Sequence, residues 1–290
     1  MFTEVIPCED GHAQERSLFP LIKPLVQKND LWMADRNFTT LELMFDIASA
    51  DAFFLMRQHG SLQTWTQESE ERYVGKTETG SVYEQRIGVT HPKTEKTMIL
   101  RRIRLVLFEA TRDGETEIVV LTNLSKKSTS AKVCCDLYRD RWRIERAFLE
   151  MTQCLACEIN TLCYPRAALF TFCLVAMLYN AVSLLKSSIA AMHGEEAVEN
   201  LSWYYVYMET QSVWSGMAIA LPFAFWSRRF DRMGDREFAD YLKRLSDRIV
   251  PSKYAKSRRG VNKKVVKVYD PKVNHVSTFK ILQDRKNGKK

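Results

Sequence analysis

Tyr138, Arg141 and Glu145 follow one another at spacings of three and four residues in the segment Tyr138-Arg-Asp-Arg-Trp-Arg-Ile-Glu-Arg-Ala-Phe-Leu-Glu-Met-Thr152. On a helix of 3.6 residues per turn that spacing places all three on one face. A carboxylate flanked by a phenol and a guanidinium suits a site that holds a metal ion against a phosphate. Arg139, Arg141, Arg143 and Arg146 crowd the same stretch, more cations than Glu145 needs and well matched to phosphate oxygens. The plainer reading is a solvated Glu145 paired with Arg141 at i,i+4, worth a few tenths of a kcal/mol. Trp142, Ile144 and Phe148 predict that this helix packs against a neighbour.

A second candidate is Asp35. Leu31-Trp-Met-Ala-Asp35 reads as a short buried strand ending on an acid, the place where open α/β sheets carry their sites. The competing role is a helix cap or turn residue. Thr39-Thr-Leu-Glu42 forms a capping-box pattern for a helix over roughly 40–50, which leaves less need for Asp35 to cap. A second buried strand, Ala52-Phe-Phe-Leu-Met-Arg57, completes a parallel βαβ unit. No third acid occupies an equivalent place. Asp10 is the nearest, and it lies just before a first helix over 12–27 that Pro20 and Pro24 interrupt.

The elements that must position these residues change in character along the chain. From about 60 to 124, segments 82–89, 97–110 and 116–123 are rich in Val, Ile and Leu, with Arg112-Asp-Gly114 as a hairpin turn. Helices are expected over 130–153, over 165–192 and around 200–250, where Phe238, Tyr241, Leu242, Leu245 and Ile249 make an amphipathic stripe. Residues 167–185 carry no charge and are long enough to span a bilayer. Thr171, Tyr179, Asn180 and Ser183 within the run, and Pro165 at its start, favour a buried core helix over a membrane span. No signal peptide opens the chain. The seven cysteines are odd in number and scattered, which points to a reducing cytosol. Cys154-Leu-Ala-Cys157 has half the spacing of a zinc site, but no second pair follows, so the cysteines read as small core residues. The net charge of +8 is uneven: residues 251–290 carry thirteen Lys/Arg against Asp270 and Asp284, a net of +11, and the remaining 250 residues sum to −3. A basic arm on a near-neutral body predicts a polyanionic partner, nucleic acid above all.

Several segments, in order, resemble bacterial insertion-sequence transposases of the DDE type. They are Glu9-Asp-Gly-His-Ala-Gln-Glu-Arg-Ser-Leu18, Ala34-Asp-Arg-Asn-Phe38, Leu121-Thr-Asn-Leu124 and Tyr138-x2-Arg141-x3-Glu145. More narrowly, the chain looks like the branch with a Tyr-x2-Arg-x3-Glu-x6-Lys signature, insertion-sequence family four. The likeness runs over about 5–190, and His275-Val-Ser-Thr278 also fits. The resemblance implies an α/β fold: an incomplete ribonuclease H-like core, a mixed sheet flanked by helices, interrupted by an antiparallel β insertion, with a helical C-terminal region. The implied organisation is a partial core over 1–60, the insertion over 61–124 with its last strand rejoining the core, core helices over 125–192, a helical region over 193–250 and a basic tail over 251–290. By the same resemblance Asp35 and Glu145 are catalytic and metal-binding acids, the second and third of the triad. Tyr138 and Arg141 contact DNA phosphates. The implied cofactor is Mg²⁺, with Mn²⁺ as the substitute, and the implied reaction is strand cleavage and strand transfer at insertion-sequence ends. The partners would be DNA terminal repeats and a second copy of the chain, with no membrane, in the bacterial cytoplasm at the nucleoid.

The sequence departs from that pattern twice. Thr152 stands where the signature has Lys, with Lys186 or an arginine as the candidate replacement. The first acid of the triad, and the two strands around it, are missing ahead of Asp35. The expectation is therefore an N-terminally truncated transposase, inactive alone and restorable by a separate N-terminal piece. The alternative is a catalytically inactive DNA-binding relic or regulator of transposition.

Overall fold

The computed structural model describes residues 1–8, 15–60, 62, 64–111, 114–154 and 164–256. Asp10, Cys157, Cys163, the turn residues Arg112 and Asp113, His275–Thr278 and the basic tail from 257 onward lie outside them. Where a helix was expected over 12–27, the described part is a run of short turns, Glu15–Leu18, Phe19–Ile22 (α1) and Lys23–Leu25. Pro20 and Pro24 cap the reach of each turn, because proline contributes no N–H and clashes with the preceding turn.

The βαβ unit forms with the expected order and direction, β1 (Leu31–Ala34), α2 (Leu41–Ser49) and β2 (Phe53–Arg57), with β1 and β2 parallel and Ala34 opposite Met56; β1, however, is not the buried strand expected, since it lies at the sheet's outer edge among the described residues and none of its residues is buried. The capping pattern is displaced by one residue. Thr40, not Thr39, caps α2 by accepting from the Leu43 N–H at 3.3 Å, and Glu42 turns outward to Lys93 at 2.5 Å. Then follow β3 (Thr66–Gln67), β4 (Arg72–Lys76), β5 (Gly80–Thr90), β6 (Thr97–Leu107) and β7 (Glu117–Thr122). β7 pairs antiparallel with β2, so all seven strands make one mixed sheet in the order β1-β2-β7-β6-β5-β3, with β4 also on β5.

Side chains alternate across a pleated strand, and here the alternation feeds two cores. Phe54 and Met56 of β2, Ile87 and Val89 of β5 and Leu121 of β7 meet Leu43, Met44 and Ile47 of α2 on one face. Leu55, Val82, Ile103 and Val120 point the other way, against Ala131, Cys134, Cys135 and Tyr138 of α3 (Ala131–Asp140). The Leu121-Thr-Asn-Leu124 motif is explained by this architecture. Thr122 Oγ1 donates to the Phe54 carbonyl at 2.5 Å. Asn123 accepts from the Phe54 N–H at 2.9 Å and donates to the Ala52 carbonyl at 2.9 Å, prolonging the β2–β7 ladder with side-chain bonds.

The single helix expected over 130–153 is two. After α3 the chain tightens at Arg141 and Trp142, where bonds run from i to i−3 (Arg141 N–H to Tyr138 O, 3.1 Å; Trp142 N–H to Arg139 O, 3.3 Å), and α4 (Arg143–Cys154) follows. Next come α5 (Pro165–His193), α6 (Glu195–Glu199), α7 (Trp203–Ala220), α8 (Phe223–Phe230) and α9 (Asp235–Asp247). α5 is long and apolar enough to cross a membrane, yet only Ala176 and Ile189 of it are buried. The buried core helix expected here is therefore a largely uncovered one: α9, α6 and α4 pack along it without enclosing it.

Candidate active site

Two strand ends define the floor. Asp35 follows β1, and Arg57 closes β2 beside it, since Ala34 and Met56 are partners in the parallel ladder. Thr39, released from capping, donates from Oγ1 to the Arg57 carbonyl at 2.5 Å and to the Asp35 carbonyl at 3.4 Å. One hydroxyl thus pins both strand ends. Asp35 also does the capping job that the sequence made less needed: its Oδ1 accepts from the Asn37 N–H at 2.8 Å and starts the turn Arg36–Phe38. A carboxylate keeps further acceptor capacity after one such bond.

Tyr138 sits in the last turn of α3, 6% exposed, because that helix presses its apolar face onto the sheet. Among the described residues its hydroxyl meets no hydrogen-bond partner in good geometry, although the Arg141 guanidinium acts on it as a weak side-chain donor. Burial pushes the phenol pKa up and the nearby Asp35 charge pushes the same way, while the Arg141 and Arg57 guanidinium groups oppose them. Arg141 follows in the tightened turn, its guanidinium 5.7 Å from the Tyr138 ring centroid. Its Nε is buried and unpartnered, and its Nη2 lies 3.5 Å from Glu145 Oε1. The structure therefore brings Tyr138, Arg141 and Glu145 together, while Asp35 follows β1, whose partner strand β2 packs Leu55 against the same helix α3.

The two acids differ in setting: Asp35 is half-buried, whereas Glu145 is 50% exposed on α4. Among the described residues no group of three or more His, Cys, Asp or Glu is arranged to hold a metal ion. Asp35 and Glu145 alone do not fit the three-carboxylate set that such a site requires.

Other expectations are corrected. The arginine crowd is partly committed elsewhere: Arg139 pairs with Glu78 at 3.1 Å and Arg143 with Asp140 at 3.1 Å. Trp142, Ile144 and Phe148 do not anchor α4; they are 59%, 49% and 43% exposed, and Ala147 and Met151 face inward instead. Phe148 does meet Phe2, at 5.8 Å between ring centroids. Lys186 pairs with Glu150 at 2.5 Å and lies over the Trp203 ring. Glu150 is five residues past Glu145, about 140° round the helix, so Lys186 is engaged on another face. Thr152 returns its hydroxyl to the Phe148 and Leu149 carbonyls.

Sequence reasoning missed Arg57, Arg36 and Glu115. Arg57 Nη2 lies 2.6 Å and Arg36 Nη1 3.3 Å from Glu115 Oε1. The available signal for Arg57 was its place at the end of the strand parallel to the one before Asp35. Glu115 had none, because the β6–β7 connection delivers it from far along the chain.

A family model described as Transposase DDE domain matches residues 5–181. A search of curated proteins found no match.

Proposed function

Because the chain belongs to the transposase DDE-domain family, we propose that it acts in DNA transposition, gripping a DNA phosphate between Tyr138 and Arg141 with Asp35 and Glu145 as its two catalytic acids. The observation that supports this reading is a pair of buried donors that meet no partner in good geometry among the described residues, the Tyr138 hydroxyl and the Arg141 Nε. Leaving a buried donor unsatisfied costs about 1–3 kcal/mol, and a phosphate offers acceptors to both at once. The fold is read as part of a ribonuclease H-like core and the chain as a relative of insertion-sequence family four. Its substrate is the DNA of the element's terminal repeats, bound by a homodimer at the bacterial nucleoid.

The metal requirement leaves one carboxylate to come from outside the described residues. Mg²⁺, or Mn²⁺ in its place, supplies charge stabilisation in phosphoryl transfer when bound by hard oxygen ligands. Asp35 and Glu145 make two of those ligands, and a third carboxylate has to join them. β1 is the outer strand of the sheet among the described residues, and Leu31 and Met33 on it are 36% and 40% exposed. An open edge of this kind accepts a further strand, so the third acid is proposed to arrive on a strand laid along β1. The second reading, a DNA-binding relic or regulator, is favoured by the same shortage of carboxylates.

Cleavage of a plasmid carrying the ends of the encoding element separates the two. With Mg²⁺ or Mn²⁺, and with a peptide strand bearing an Asp supplied in trans, nicking that disappears in Glu145→Ala supports the enzyme. DNA binding with no nicking in any mixture supports the relic.

A further inference from the structure

We propose that Glu115 is a built-in stand-in for a DNA phosphate: it occupies Arg57 and Arg36 in the free protein and yields them when DNA enters. The inference rests on the reading above that this site takes a DNA phosphate, and it adds a competitor and two further phosphate-contacting arginines.

The geometry is specific. Two guanidinium groups from different elements, the end of β2 and the turn after Asp35, converge on one carboxylate oxygen, Oε1 of Glu115. A planar N–H fork that meets a carboxylate oxygen in this way can meet a phosphate oxygen equally well. The Arg57 backbone is fixed by the Thr39 hydroxyl and by its pairing with Val120 in the β7 ladder. Its side chain is 23% exposed, and its charge reaches the Tyr138 phenol. Arg57 ends β2, the strand whose Leu55 packs against Tyr138 of α3, and the buried Tyr138 hydroxyl meets no partner in good geometry among the described residues.

Glu115, by contrast, is held by little besides the arginines. It stands in the connection between β6 and β7, next to Gly114 at φ +82°, where glycine relieves the strain of a left-handed backbone. Among the described residues its backbone bonds to Thr111: the Glu115 N–H donates to Thr111 Oγ1 at 3.1 Å and the Glu115 carbonyl accepts from the Thr111 N–H at 2.8 Å. The side chain is 30% exposed. The Arg57 hydrogen bond first, then the charges of Arg57 and Arg36, hold the carboxyl below the usual carboxylate range, so it is an anion throughout the neutral range. Ion pairs this exposed are individually weak. A phosphate with a higher charge density, presented by a polyanion, displaces it.

The test uses the full chain and a double-stranded DNA oligonucleotide of arbitrary sequence. Dissociation constants are measured by fluorescence anisotropy for the wild type, Glu115→Gln, Arg57→Gln and the double variant, with thermal unfolding of each as a control for folding. The expected result is about tenfold tighter binding by Glu115→Gln, the scale of one charge-assisted hydrogen bond. Arg57→Gln should bind weaker than wild type, and the gain from Glu115→Gln should vanish when Arg57 is also replaced. A purely structural Glu115 predicts unchanged or weaker binding, and an electrostatic effect not routed through Arg57 predicts that the double variant keeps the gain. Either result overturns the proposal. Absence of DNA binding by the wild type would overturn the functional reading beneath it, whereas wild-type binding without a Glu115→Gln gain removes the competitor alone.

Discussion

Removing the Tyr138 hydroxyl should make the protein no less stable and its grip on DNA weaker. In Tyr138→Phe the ring stays packed on α3 against Leu55, Ile103 and Val120, so no cavity opens. What disappears is a buried hydroxyl that meets no partner in good geometry among the described residues. A group in that state carries a desolvation cost of about 1–3 kcal/mol, offset in part by the field of Arg141 and Arg57. The expected net is a stability change between zero and about +1 kcal/mol, read as a higher urea midpoint with an unchanged m-value. On DNA the same deletion removes a hydrogen bond to a charged acceptor, about 1.5–3 kcal/mol, or roughly a 10- to 150-fold weaker dissociation constant. Tyr138 carries no charge, so the slope of log affinity against log salt should not move. A destabilisation beyond about 1 kcal/mol together with unchanged DNA affinity would refute the reasoning, because the hydroxyl would then be serving the fold.

Other consequences can be checked with the same preparations. Arg101 pairs with buried Glu84 at 2.6 Å and donates to the Leu124 and Thr129 carbonyls just ahead of α3. Arg101→Ala, by leaving buried Glu84 only the longer 3.8 Å pair with exposed Lys126, should cost about 3 kcal/mol in denaturant unfolding. The Arg104 hydrogen bond lowers the Glu71 carboxyl below its ordinary 4.5. A lowered folded-state value means that its stabilising contribution is present above 4.5 and is lost as pH falls through the folded value. Glu71→Gln should therefore be less stable than wild type at neutral pH and converge with it in acid, as urea midpoints across that range would show. Burial pushes the Cys135 thiol up to about 12. A maleimide at neutral pH should leave Cys135 unmodified in the folded protein and label it once urea unfolds the chain, as peptide mass mapping would show.

The parts of this protein that local chemistry decides were legible in its sequence. The βαβ unit was, because two apolar runs flank a periodic helix. So was the shared face of Tyr138, Arg141 and Glu145, since i,i+3 and i,i+4 spacings survive even where α3 and α4 are joined by a tightened turn. The break itself was not, because Arg141 and Trp142 carry neither glycine nor proline to announce it. Thr39 lost the expected cap of α2 to Thr40, and Asp35 caps the turn Arg36–Phe38: adjacent threonines both suit a cap, and only the tertiary position of the Arg57 carbonyl decides which one is taken. The exposure of α5 was misjudged for a related reason, since an uncharged run predicts burial only when the rest of the chain can cover it. Glu115 was invisible because its importance depends on a strand order, β2 beside β7, that no local pattern encodes.

The central claim is that Arg141, with Tyr138, holds a DNA phosphate. The most direct test is the salt dependence of duplex DNA affinity for the wild type, Arg141→Gln and Lys93→Gln, the last altering a cation that pairs with Glu42 on the α2 side of the sheet. Each lost phosphate contact lowers the slope of log affinity against log salt by about 0.9. The account predicts that drop for Arg141→Gln and none for Lys93→Gln. An unchanged slope for Arg141→Gln, or equal drops for both, would contradict it.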